Sequence, residues 1–193
     1  MNKNIYFMEN ENAFKVLSRA QKLEKQGEKI INLGIGQPDL NPPKYVIEEA
    51  INAIKNENHG YTNAKGILKL RETISNEYQS LYNQKIEPDN IIVSPGAKPI
   101  IYMAISMLSE NNCEILLSNP SFPIYSSVIK YCGARAVYFD LKEENNFDFI
   151  ADDIIEKITE KTKLIILNSP CNPTGSVINT KELKKLLNFI ENL

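Results

Sequence analysis

A chain of 193 residues with 42% hydrophobic and 24% charged side chains has the composition of a globular domain with a substantial core. A formal net charge of −2 provides no concentration of Lys and Arg to hold a phosphate backbone, which argues against nucleic acid as the main partner. No run of about 18 apolar residues is present to span a membrane, and the single histidine, His59, excludes a multi-histidine metal site.

The first residues, Met1-Asn2-Lys3-Asn4-Ile5-Tyr6-Phe7-Met8-Glu9, turn acidic too early for a signal peptide. Cys113, Cys132 and Cys171 are odd in number, widely spaced and without a CxxC pair. They read as reduced thiols of a cytoplasmic protein rather than a disulfide frame or zinc site.

The spacing of Phe14, Val16, Leu17, Ala20 and Leu23 predicts a helix from about Asn12 to Gln26, ended by Gly27. In the following Asn32-Leu33-Gly34-Ile35-Gly36-Gln37-Pro38-Asp39, the glycines leave backbone N–H groups uncovered, for a close approach or simply for a turn. Pro42-Pro43 opens a second helix on Val46, Ile47, Ala50, Ile51 and Ile54. The segment His59–Gly66 reads as a loop, and a third helix runs to about Tyr82 on Ile67, Leu70, Ile74, Tyr78 and Leu81.

From Asn90 the rhythm changes to alternating strands and helices. Strands are expected at 91–93, 115–117, 136–139 and 164–167. Helices are expected over the nearly all-apolar stretch Ile100–Leu108, which should be buried, up to about Tyr131, around Ile154–Ile158 and from Lys181. This alternation predicts an α/β fold with a parallel sheet. Four apolar residues at 164–167 suggest a strand buried on both faces. Asn179 and Glu182 are spaced as a capping box for the last helix, which shows a start but no stop signal, so the fold is expected to be incomplete at Leu193.

Three strand-end loops can carry chemistry, since ligands of such sheets sit at the carboxyl ends of the strands. Ser94-Pro95-Gly96-Ala97-Lys98 offers free N–H groups at a helix N-terminus, suited to a phosphate, and an ordinary turn is the alternative. Asn119-Pro120-Ser121-Phe122-Pro123-Ile124-Tyr125 places an aromatic ring where it could stack on a heterocycle or fill the core. Asn168-Ser169-Pro170-Cys171-Asn172-Pro173-Thr174-Gly175 stiffens a strand end and could present Asn172 to an oxygen of that heterocycle, or could be a tight connection alone. A phosphate, an aromatic ring and a hydroxyl together describe pyridoxal phosphate.

On these motifs, with Gly60-Tyr61, Gly66 and Leu70-Arg71, the chain from about Asn12 to Leu193 resembles the class I and II aminotransferases of the aspartate aminotransferase fold. The resemblance implies the N-terminal half of that fold. Residues 1–45 would form a segment of its small domain and dimer arm, and 46–193 an incomplete cofactor-binding large domain. It implies pyridoxal 5'-phosphate as cofactor, an amino acid and a 2-oxo acid as substrates, and a homodimer. Gly96, Ala97 and Lys98 would line the phosphate pocket, Phe122 would stack on the pyridine ring, and Asn172 would hold the ring hydroxyl and approach the substrate carboxylate. Gly36 would contact substrate through its backbone, and Tyr61 would reach the partner's cofactor phosphate. Asn119-Pro120 and Asn172-Pro173 resemble the family's cis bonds, and Gln37 stands where many relatives carry Glu. The Schiff-base lysine, the aspartate that pairs with the pyridine nitrogen and the carboxylate-binding arginine fall later in the family pattern. The 193 residues alone are therefore expected to be inactive and poorly stable. In the family sheet, the 91–93 strand pairs with a strand from later sequence. A carbon–sulfur β-lyase using the same cofactor, and a non-catalytic remnant or partner of a longer relative, are the alternatives.

Overall fold

A computed structural model of the protein describes residues 12–34, 36–110 and 112–193, with side chains of the first helix from residue 14 onward. The N-terminal stretch read above for its early acidic residue, and Ile35 between the two glycines, lie outside the described residues. Two compact units emerge, one spanning Ala13–Ala97 and one built on Lys98–Leu193.

The first unit holds three helices, α1 (Asn12–Lys25), α2 (Lys44–Lys55) and α3 (Leu68–Tyr82). Lys22 and Lys25 complement the dipole in the last turn of α1, and Gly27, at φ +94°, lets the chain leave it as Glu28 N donates to Leu23 O at 3.1 Å. Pro43 sits just before α2, and its carbonyl accepts from Val46 N. Asn83 closes α3 in the left-handed conformation, its N–H on Gln79 O. The apolar stripes read from the sequence are present but largely uncovered. Among the described residues of this unit, only Ala20, Arg71 and Ile91 are buried.

Residues 91–93, expected as a strand, belong to no sheet among the described residues. Ile92 is exposed, and Val93 N donates to Lys65 O at 2.9 Å, so the segment runs beside a turn instead of another strand. Extended apolar residues make a strand only where a neighbour takes up their hydrogen bonds.

The second unit contains α4 (Ala97–Leu108), β1 (Glu114–Asn119), α5 (Ile124–Tyr131), β2 (Arg135–Asp140), α6 (Ala151–Ile155), β3 (Thr162–Ile166) and α7 (Thr180–Ile190). The strands form a parallel sheet in the order β2-β1-β3. Central β1 is covered on both faces, with Ile115, Leu116 and Leu117 wholly buried. Ile115 and Leu117 pack with Ile105 of α4 and Val128 and Ile129 of α5. Leu116 points the other way, into Phe139, Phe149, Ile154 of α6 and Leu186 of α7. Helices on both faces of a parallel sheet give the α/β fold expected.

Three expectations change in detail. Helix α4 buries only Ile105 fully, while Tyr102, Met103 and Met107 are exposed, because a single face of the helix meets the sheet. Strand β3 pairs with β1 alone and is half-buried rather than enclosed, since it lies at an edge. Asn179 caps α7 by accepting from Lys181 N at 2.9 Å, but Glu182 accepts from Ala151 N at 2.7 Å. The carboxylate thus satisfies a free N–H at the start of α6 rather than closing a box on its own helix.

Candidate active site

The parallel strands bring two of the three loops to one edge of the sheet. At the end of β1, Asn119 donates through Nδ2 to Asp140 Oδ1 at 2.9 Å, and its carbonyl accepts from Leu141 N at 2.8 Å. Both bonds tie the carboxyl end of β1 to that of β2. The Asn119-Pro120 bond is cis, and the chain then presents Phe122 before α5 begins. Phe122 is half-buried, with Tyr125 edge-on at 5.9 Å between ring centroids and 89° between planes. Burial, then the nearby Cys171 thiol, pushes the Tyr125 hydroxyl above its ordinary pKa, so it stays protonated.

Beyond β3, the chain turns through cis Ser169-Pro170 and cis Asn172-Pro173. Gly175 N donates to Cys171 O at 2.7 Å and Cys171 N to Ser176 O at 2.9 Å, so Asn172 stands exposed at the tip of a closed turn. Buried Cys171 anchors that turn in the core. Ser176 Oγ donates to Phe147 O at 2.8 Å, and Asn179 N donates to Asp148 Oδ2 at 3.0 Å, pinning the exit to the segment before α6. A side chain held this way presents its carboxamide without a loop to order first.

The third loop opens α4. Gly96, at φ +89°, has nothing within 4 Å of where a Cβ would stand, and Gly96, Ala97 and Lys98 are all exposed. Gly96 N donates to Ser94 O at 2.9 Å, and the loop leads into the N-terminus of a 12-residue helix, where backbone N–H groups and the helix dipole favour an anion. Lys98 brings this loop to the β1 loop, its Nζ lying 5.9 Å from the Phe122 ring centroid. Of the residues singled out from the sequence, the structure therefore joins Lys98 to Phe122 and sets the Asn172 turn at the same sheet edge. Gly36 and Tyr61 belong to the first unit. Both are exposed, and a Cβ on Gly36 would meet nothing within 4 Å.

Several supporting residues carried no assigned role in the sequence reading. Asp148 and Ser176 have no local pattern to betray them, because their partners lie 31 and 29 residues away. Arg71 does leave a trace, since it falls at helical spacing on the stripe of Ile67 and Ile74 and is buried there. Among the described residues, no helix is long and apolar enough to cross a membrane.

A parallel sheet with helices on both faces and two loops gathered at the carboxyl ends of its strands defines an α/β protein, a class whose ligands sit at that edge. The profile of the family described as "Aminotransferase class I and II" matches residues 28–193, and the chain belongs to that family. It is similar to the (5-formylfuran-3-yl)methyl phosphate transaminase of Methanocaldococcus jannaschii, with 41% identity over 164 residues, covering 85% of this chain and 42% of that protein. It is also similar to the aspartate aminotransferase of Sulfolobus acidocaldarius, with 38% identity over 173 residues, covering 89% and 43%. The structure of an alanine aminotransferase from Pyrococcus furiosus superimposes with a TM-score of 0.93 at 31% identity, covering 100% of this chain and 49% of that one. The chain thus spans less than half the length of the curated relatives it matches. Membership of the family implies pyridoxal phosphate as cofactor.

Proposed function

We propose that this chain supplies the phosphate- and ring-holding part of a pyridoxal-phosphate-dependent aminotransferase that moves an amino group between an amino acid and a 2-oxo acid. The observation that carries the reading is the meeting of Lys98 with Phe122 at the sheet edge that also holds the Asn172 turn. The open space at Gly96, beside the N-terminus of α4, and the exposed Asn172 carboxamide fit the group. When bound, pyridoxal phosphate supplies the electron sink that lets a proton leave and return at the amino-bearing carbon.

In this reading, Gly96 lines the phosphate pocket without a side chain to fill it, and the N–H of Ala97 and the ammonium of Lys98 take the phosphate. The Phe122 ring stacks on one face of the heterocycle and excludes water from it. Asn172 donates through Nδ2 to the ring hydroxyl oxygen and approaches the substrate carboxylate, and Gly36 meets substrate through its backbone. Tyr61, wholly exposed, donates its hydroxyl to the phosphate held by a second copy, so the working unit is a homodimer in the cytoplasm. Residues 1–45 belong to the dimer arm and small domain, and 46–193 to the cofactor-binding domain. None of these roles supplies the amine that anchors the cofactor, so activity is assigned to the protein expressed from its complete gene. No observation favours a lyase, and the named relatives above are transaminases or aminotransferases.

The test adds pyridoxal phosphate to that protein and follows visible absorbance and amino-group transfer to a panel of 2-oxo acids. A new band and transfer are expected, with Asn172→Ala lowering kcat/KM by about a hundredfold. Unchanged absorbance in the wild-type protein at saturating cofactor overturns the reading.

A further inference from the structure

Two segments of the first unit have just been assigned to a cofactor phosphate, Gly96–Ala97 in the chain's own site and Tyr61 in the partner's. One buried arginine ties the stretches that carry them. Arg71, on α3, is 5% exposed. Its Nε donates to Gly66 O at 3.2 Å, and its Nη1 donates to Pro88 O at 2.7 Å and to Asp89 Oδ1 at 3.2 Å. Gly66 ends the Tyr61 loop, whereas Pro88 and Asp89 open the segment that reaches Gly96.

The same two stretches are joined again beside the arginine. Lys65 Nζ donates to Asp89 O at 2.8 Å and lies 3.7 Å from the Asp89 carboxylate. Val93 N donates to Lys65 O at 2.9 Å. Gly66, at φ +97°, lies so close to Val93 that an added Cβ would come within 2.9 Å of the valine Cβ. Asn63 folds the loop onto itself, its Oδ1 accepting from Lys65 N and its carbonyl from Gly66 N. Tyr61 stands five residues before Gly66, and Gly96 three residues after Val93. A displacement of either stretch is carried to the other through charged bonds at one end and close packing at the other. A planar guanidinium can bridge two backbone carbonyls and a carboxylate at once, which an ammonium at the same depth does not reproduce.

We propose that Arg71 is a positioning residue for phosphate recognition, which sets Gly96–Ala97 in its own protomer and Tyr61 in the partner's site together. One arginine then acts on two cofactor sites. The inference rests on the reading under Proposed function.

The test uses the dimer expressed from the complete gene, stripped of cofactor, and measures Kd for pyridoxal phosphate and for pyridoxal, which lacks the phosphate. The wild-type protein should favour the phosphorylated form strongly. Arg71→Gln should weaken pyridoxal phosphate about tenfold or more while leaving pyridoxal within about twofold. Lys65→Met, at a half-exposed lysine, should move the same ratio in the same direction by a smaller factor, with an unchanged far-ultraviolet circular dichroism spectrum. In mixed dimers with one Arg71→Gln protomer, neither site should keep wild-type affinity.

Equal weakening of both ligands in Arg71→Gln would mark a merely structural arginine and overturn the inference, as would an unchanged ratio in Lys65→Met. Mixed dimers with half their sites at wild-type affinity overturn the two-site action. If Arg71→Gln does not fold, Lys65→Met decides. A wild-type protein that binds pyridoxal as tightly as its phosphate overturns the phosphate roles themselves, which is a different failure.

Discussion

Single residues in this chain act by joining segments far apart in sequence. Glu114, at the start of β1 and 4% exposed, accepts from the Arg135 guanidinium at the start of β2 and from Thr159 Oγ1, 45 residues on, at 2.8 Å. These donors, led by Arg135, hold its carboxyl below the ordinary glutamate pKa against the opposing effect of burial. A carboxyl that ionises more readily folded than unfolded stabilises the fold at pH above its unfolded value of about 4.3. That contribution disappears as pH falls through the lower folded value. The urea midpoint should therefore decline through the acid range, and Glu114→Gln should flatten that decline while lowering the midpoint at neutral pH. A wild-type acid limb retained by the variant would place the titration elsewhere. Gly66→Ala forces a Cβ against Val93 at a positive φ, and equilibrium unfolding should show a loss of about 1–3 kcal/mol. Gly66 was singled out in the sequence, but its contact with Val93 was not, and Glu114 left no signal at all, because sequence spacing shows nothing of contacts made across a fold.

Elements were easier to read than their surroundings. The 3.6-residue spacing located α1, α2, α3 and α7, and short apolar runs located β1, β2 and β3, since backbone period is written into side-chain pattern. Burial was misread for α4 and β3, because an apolar surface reports what an element can bury and not which faces find a neighbour. The Asn179–Glu182 spacing likewise revealed a cap but not that Glu182 serves α6. Helix α7 docks through Leu186, which is wholly buried, and Leu186→Ala should cost about 2–5 kcal/mol in chemical denaturation. Asn179→Ala removes one cap bond and should cost about 1 kcal/mol. If the two losses were equal, α7 would be held by its cap and not by its packed face. For the site, the Gly96–Lys98 and Asn172 loops were visible as turn chemistry, although only the second follows a strand of the sheet. The Lys98–Phe122 approach depends on tertiary folding and had no local signal.

At the scale of the whole molecule, apolar surface stands out. Leu33, Val46, Ile51, Ile92, Met103 and Met107 are among the large side chains left exposed by these 193 residues. Patches of this kind attract hydrophobic probes and other chains. The 193 residues should bind an amphipathic fluorescent dye strongly and associate with rising concentration. Dye binding no stronger than that of an ordinary folded protein would show that this surface is covered. The strand order has a further consequence, for the path of folding. Because β1 lies between two strands that both follow it in sequence, it emerges from the ribosome before either partner. Its first neighbour closes a short span, with Glu114 meeting Arg135 after 21 residues, and its second must wait for Thr162, 48 residues on. Loop closure is slower for the longer span. The β1–α5–β2 unit should therefore assemble first and leave one edge of the most deeply buried strand open until β3 arrives. That interval is when a nascent chain is most exposed to pairing with another copy.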